Sequence, residues 1–139
     1  MGAPDFFFGI NATFRHILDT YGEEALHKYW EEMGAEHYKA VTEAIGERGM
    51  QALKERWDGL FPEEPGSEVK TCIDGDTLTL TVSVCPAILH LKKHGREILP
   101  QYCEHCLHVS KGMCAPAGVD VQVEGGMGSC VQTFTRTGP

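Results

Sequence analysis

No apolar run in this chain is long enough to cross a bilayer. The longest, such as "DFFFGI" at 5–10, fall far short of the roughly 20 residues a membrane helix needs, so no membrane partner is expected. Positive charge is scarce. Lys and Arg number 12 against 20 Asp and Glu, a formal net charge of −8, which argues against a nucleic-acid phosphate backbone as partner. The opening residues carry no signal-peptide pattern. Position 6 is Phe6, where a myristoylation site at Met1-Gly2 would have Ser or Thr. Asn11-Ala12-Thr13 matches a glycosylation sequon, but without a secretory signal it reads as a helix N-cap. The expected location is therefore cytoplasmic, where cysteines stay reduced. That turns the reading of the six cysteines away from disulfides and toward free thiols, metal ligands or buried apolar side chains.

The rest of the composition is that of a globular domain, with 42% hydrophobic and 23% charged residues. A chain of 139 residues fits one domain and can bury roughly two thirds of its unfolded surface, so it needs neither metal nor disulfide merely to fold. We read 1–139 as a single domain, with a helical lead-in over 1–61 and an α+β core over 68–136.

Within the lead-in, Phe14, Ile17, Leu18, Tyr21, Ala25, Tyr29 and Met33 recur at helical spacing, with Gly22 breaking or kinking the run. The pattern resumes at Tyr38, Val41, Ala44 and Ile45, then at Met50, Leu53, Trp57 and Leu60, with Gly46 and Gly49 marking the join. His37 falls on the apolar face and reads as a core histidine. "FPEEPGSE" (61–68) is a connector in which Pro62, Pro65 and Gly66 stop the helix. "EVKTCIDGDTLTLTVSV" then reads as a hairpin turning at Asp74-Gly75, since Leu78, Leu80, Val82 and Val84 alternate with Thr and Ser. A second hairpin pairs Val119, Val121 and Val123 with Cys130 to Arg136 across "EGGMGS". The expected core is thus a β-hairpin, two helices and a second β-hairpin, forming an antiparallel sheet of about four strands packed on one face by helices.

Between the hairpins lies "CPAILHLKKHGREILPQYCEHC" (85–106), which holds three cysteines and three histidines. Pro86 suits the first position of a helix, which makes Cys85 its N-cap. Unpaired backbone N–H groups and the helix dipole there favour thiolate, so Cys85 is either a reactive thiol or a small residue at a strand–helix corner. His90 and His94 share one face, but Lys92 and Lys93 beside them mark that face as wet. A second helix is expected from about Pro100, with Leu99, Tyr102, Cys103, Cys106, Leu107, Ser110 and Met113 on one stripe. Cys103 and Cys106 then point inward together. His105 lies about 100° round the helix from Cys106 and about 200° from Cys103, on an outward face shared with His108. Two inward thiols one turn apart suit a metal pair, a redox pair or plain packing. A closed zinc site needs four ligands, and no second Cys-x-x-Cys exists. The further donors are Cys85, Cys130 and Cys114, while Cys72 falls on the polar face of its strand. The side-chain direction of Cys130 is ambiguous. "EGGMGS" joins two strands with no helix after it, so it reads as a tight hairpin rather than a phosphate loop.

Cys85-Pro86, Gly95, Pro100, Tyr102-Cys103, Cys106 and the Glu124 to Cys130 "EGGMGSC" element together resemble the L-2-amino-thiazoline-4-carboxylate hydrolase-like family over roughly 69–136. A fainter likeness is to 4-vinyl-reductase-type small-molecule-binding domains, some of which hold zinc through cysteines. The first resemblance implies a small hydrolase acting on a sulfur- or nitrogen-containing heterocycle or C–N bond, with a small-molecule substrate. Cys85 would be the catalytic nucleophile or a metal ligand. Cys85, Cys103, Cys106 and Cys130 would line one pocket, with zinc or iron as the possible cofactor. The rival expectation is a non-catalytic module that senses a metal or small ligand through the same thiols. Thiol redox chemistry between Cys103 and Cys106 is a third reading, opposed by a position inside the helix rather than at its exposed start. Several helix stripes in a short chain also leave room for a homodimer.

Overall fold

The computed structural model describes residues 5–61 and 64–137; the expectations at Met1-Gly2 and Pro62 lie outside them. Four helices open the chain: α1 (Phe6–Tyr21), α2 (Glu23–His37), α3 (Lys39–Arg48) and α4 (Met50–Leu60). The core follows as β1 (Glu68–Asp74), β2 (Thr77–Val84), α5 (Pro86–Lys93), α6 (Glu104–Cys114), β3 (Val119–Gly126) and β4 (Ser129–Arg136). The sheet is antiparallel throughout, in the order β1-β2-β4-β3. This is the α+β architecture expected, hairpin–two-helix–hairpin included.

Alternation along β2 aims Leu78, Leu80 and Val82 at the helices and leaves Thr81 and Ser83 to solvent. The β2–β4 register sets Leu78 opposite Phe134, Leu80 opposite Gln132 and Val82 opposite Cys130. Residues opposite one another share a face, so Cys130 faces inward, which resolves its direction. Two apolar clusters result. One joins the sheet to α3, α4 and α6 through Ile45, Leu53, Met113 and Phe134. The other gathers Phe14, Trp30, Ile88, Leu91 and Tyr102 between α1, α2, α5 and the segment before α6. Cys85 packs against both.

Several expectations need correction. Asn11 is not an N-cap but lies inside α1, 7% exposed. Its Nδ2 donates to the Glu97 carbonyl at 2.8 Å and its Oδ1 accepts the Leu99 N–H at 3.1 Å. The side chain thus satisfies the backbone of the irregular α5–α6 connection. Asn11→Ala leaves the Leu99 N–H unpaired and the Glu97 carbonyl with only the Arg15 guanidinium at 3.4 Å, at an expected cost of about 1–3 kcal/mol, measurable by urea unfolding; an unchanged midpoint would mean that water serves equally well.

Gly22 (φ 92°) restarts the helix in a new phase, so the buried stripe of α2 is Leu26, Trp30 and Gly34, while Tyr21 is exposed. His37 is exposed, with its ring edge toward Tyr38 rather than in the core. Gly49 alone ends α3, and Gly46 lies within that helix. The second hairpin turns more tightly than expected, at Met127-Gly128, with β3 running to Gly126.

Helices α2 and α6 meet at backbone distance. A Cβ on Gly34 would stand 2.0 Å from the Val109 carbonyl oxygen, and one on Gly112 2.1 Å from that of Glu31. Only glycine permits this contact. It holds α6 close against α2 through the later turns of α6.

Candidate metal centre

The cysteine region rests on two helix starts and one hairpin turn. Cys85 is the N-cap of α5, with Pro86 at the first helical position, as expected. The second helix starts later than the stripe implied. Pro100 to Cys103 form turns, α6 opens at Glu104, and Cys103 is its N-cap. The Cys-x-x-Cys therefore sits at a helix start and not inside one, which removes the objection raised above to thiol chemistry there. The β3–β4 turn closes over it. Met127 N–H donates to Cys103 Sγ at 3.1 Å, the Cys85 N–H donates to the Gly128 carbonyl at 2.8 Å, and Lys92 Nζ donates to the Met127 carbonyl at 3.2 Å. Met127 holds a left-handed φ of 55°, uncommon for a residue with a Cβ, and brings its thioether 3.9 Å from Cys103 Sγ. The glycine-rich loop is thus a clamp on the thiols.

Cys85, Cys103, Cys106 and Cys130 come together here. Each is near enough to the other three for the charge of one thiolate to raise another's pKa. Burial raises all four, and it carries Cys106 to about 11. N–H groups oppose burial at each sulfur. They come from Ile88 and Ala87 at Cys85, from Met127 at Cys103, and from the Gln132 side chain at Cys106 and Cys130. At Cys85 these N–H groups approach the sulfur without completing a side-chain cap hydrogen bond. The expectation that the helix start alone would lower the Cys85 pKa is therefore corrected, because desolvation outweighs the N–H groups.

Gln132 was missed by the sequence reading. It is 4% exposed in the middle of β4, with Nε2 3.7 Å from Cys130 Sγ, and its Oε1 is buried without a partner. A buried orphan oxygen is costly, and the amide gains most where N–H faces a sulfur anion. Tyr102 closes the site from the aromatic side, 2% exposed, its phenol pushed strongly upward by burial and then by Cys85, Cys106 and Cys103.

His105 is not an outward bystander. Its ring lies among Phe14, Trp30 and Tyr102, its Nδ1–H donates to the Tyr102 carbonyl, and its Nε2 stands 3.9 Å from Cys106 Sγ. Burial lowers its pKa, so the ring is neutral and Nε2 offers a lone pair to the Cys106 S–H. A single-stripe reading of α6 fails because that helix packs on α2 along one flank and on β3 along another. His108, likewise, points at α2 and not at solvent. His90 and His94 sit over Phe8, with His90 also bonded to Asp5 at 3.0 Å. Cys72 is exposed on the far face of the sheet, and Cys114 is fully buried in the main core, where its pKa rises to about 12.

Tetrahedral zinc with sulfur at about 2.3 Å requires sulfurs about 3.8 Å apart. Among the described residues, no three of the thiols come within 4.8 Å of one another, so a shared ion would require the sulfurs to move closer together. Depressions of about 410 and 820 Å³ lie elsewhere on the surface, and neither is lined by a cysteine. No family model, no curated protein and no solved structure matches this chain.

Proposed function

We propose that this protein is a metal-thiolate binding module in which Cys85, Cys103, Cys106 and Cys130 hold one soft divalent ion, zinc or iron. The observation that carries this is the meeting of four thiols from three separate chain segments, with N–H groups directed at the sulfurs. The ion would supply the positive charge that lets four half-buried thiols ionise together. The N–H groups of Met127 and Gln132 would then share the anionic charge left on sulfur, as hydrogen bonds to cluster sulfurs do elsewhere. Four protein ligands complete a tetrahedron and leave no position for substrate, which favours holding or sensing the ion over hydrolysis with it. Such thiols require a reducing compartment, consistent with a cytoplasmic location.

Cobalt(II) titration of the reduced protein tests this. The expected result is one equivalent producing intense sulfur-to-cobalt charge-transfer absorption, displaced by zinc. Only weak ligand-field bands, characteristic of nitrogen and oxygen donors, would contradict it.

A second reading, hydrolysis of a small heterocycle by Cys85, is favoured by one feature. Cys85 alone of the four caps a helix with extended backbone (φ −77°, ψ 120°) and has Ile88 and Ala87 N–H groups beside its sulfur. The motif resemblance described above leads in the same direction. In that case an electrophilic substrate analogue labels Cys85 ahead of the exposed Cys72, and mass spectrometry locates the adduct; labelling of Cys72 alone contradicts this reading.

A further inference from the structure

The contact between α2 and α6 places a second set of ligand-bearing side chains opposite one another, outside the thiol cluster. Because Gly34 and Gly112 let the backbones touch, the turns before them face each other across the interface. His27 and Glu31 are one turn apart on α2, and Glu104 and His108 are one turn apart on α6. The pairing is reciprocal. His27 Nε2 lies 3.2 Å from Glu104 Oε1, and His108 Nδ1 lies 2.9 Å from Glu31 Oε2. One ring nitrogen from each of His27 and His108 and an oxygen of Glu104 all lie within 4.8 Å of one another. Two imidazoles and a carboxylate supplied by two helices make a donor set for a borderline divalent ion.

We propose that His27, Glu104 and His108 bind a single first-row divalent transition ion, with Glu31 orienting His108. The Nδ1–H of His108 donates to Glu31, which selects the tautomer whose Nε2 lone pair is free for a metal, an arrangement common among metal-bound histidines. Trp30, fully buried, lies beside the stacked pair, 5.8 Å from each ring and at 27° and 23° to them. The rings themselves stack at 4.2 Å and 16°, so binding asks one imidazole to swing toward the other's nitrogen while the helices stay fixed. The side chains of His27 and His108 are 31% and 16% exposed, and the 820 Å³ depression beside them is lined by His27 and Glu31. An ion thus has a route in, and water can fill the remaining positions. Soft thiolates and this harder set select differently, so the two sites do not depend on each other.

The test is cobalt(II) binding to the whole chain, followed by absorption and equilibrium dialysis. The expected result is an ion bound in addition to any showing sulfur charge transfer. His108→Ala and His27→Ala should each abolish that ion and keep the charge-transfer band, whereas Cys106→Ser should do the reverse. Glu31→Gln should weaken the ion by about 10–100-fold, the usual cost of losing a carboxylate that orients a metal-bound histidine, and it spares the α2 fold if either histidine variant fails to fold. Equal cobalt binding by the parent and by folded Glu31→Gln and His108→Ala proteins would overturn the assignment, as would a parent that takes up no ion apart from one on sulfur.

Discussion

Gly34→Ala is expected to destabilise this protein by about 2 kcal/mol, although alanine is the better helix former. In an open helix the same exchange gains about 1 kcal/mol of propensity. Here the new methyl would stand 2.0 Å from the Val109 carbonyl oxygen and 2.9 Å from the Met113 nitrogen. Backbone cannot rotate away as a side chain can, so α6 must move, and overpacking of a fitted contact costs about 1–3 kcal/mol or more. The steric cost therefore exceeds the propensity gain. Gly46→Ala on α3 supplies the contrast, since nothing lies within 4 Å of its added methyl, and it should stabilise by about 1 kcal/mol. Chemical denaturation of the two variants checks the pair; destabilisation of similar size in both would show that the α2–α6 contact is not what glycine is needed for. Since α6 carries Cys103 and Cys106 at its start, Gly34→Ala should also weaken metal binding without removing a ligand.

The second large effect concerns the ligands. Cys106→Ser is expected to lower zinc affinity by more than about 100-fold, because even partners that merely orient a ligand are worth 10–100-fold. Cys106 is half-buried between Gln132 and His105, and a serine hydroxyl there is a poorer ligand for a soft ion than a thiolate. Cys72→Ser, on the exposed face of β1, should leave affinity unchanged. Competition against a chromophoric chelator measures both variants, and equal affinities would remove Cys106 from the site.

The fold was legible where local pattern and tertiary demand agree. Alternation in Leu78, Leu80 and Val82 matched the buried face of β2, while the first hairpin turns at Gly75-Asp76, one residue later than the expected Asp74-Gly75, because Asp74 still pairs with Thr77. Pro86 marked the start of α5 and put Cys85 at its N-cap. Local pattern failed where a helix is covered on two sides. His105 and His108 were set outward by one apolar stripe, but α6 lies against both α2 and the sheet, so residues a third of a turn off the stripe are half-buried too. The signal for that was present in Gly34 and Gly112, mid-helix glycines with no turn to make. Gln132 could not be recognised from its neighbours, since a lone amide between Val131 and Thr133 looks like an outward strand residue. Its direction follows only from the register opposite Leu80. Asn11 was misread for a related reason, because the backbone that needs it is Glu97 and Leu99, far along the chain.

X-ray absorption at the zinc edge, on protein loaded with one equivalent, tests the central claim most directly. Four half-buried thiols sharing one ion predict a first shell of sulfur alone at about 2.3 Å. A first shell of nitrogen and oxygen at about 2.0–2.1 Å would contradict it, and would move the metal chemistry of this protein to the α2–α6 surface.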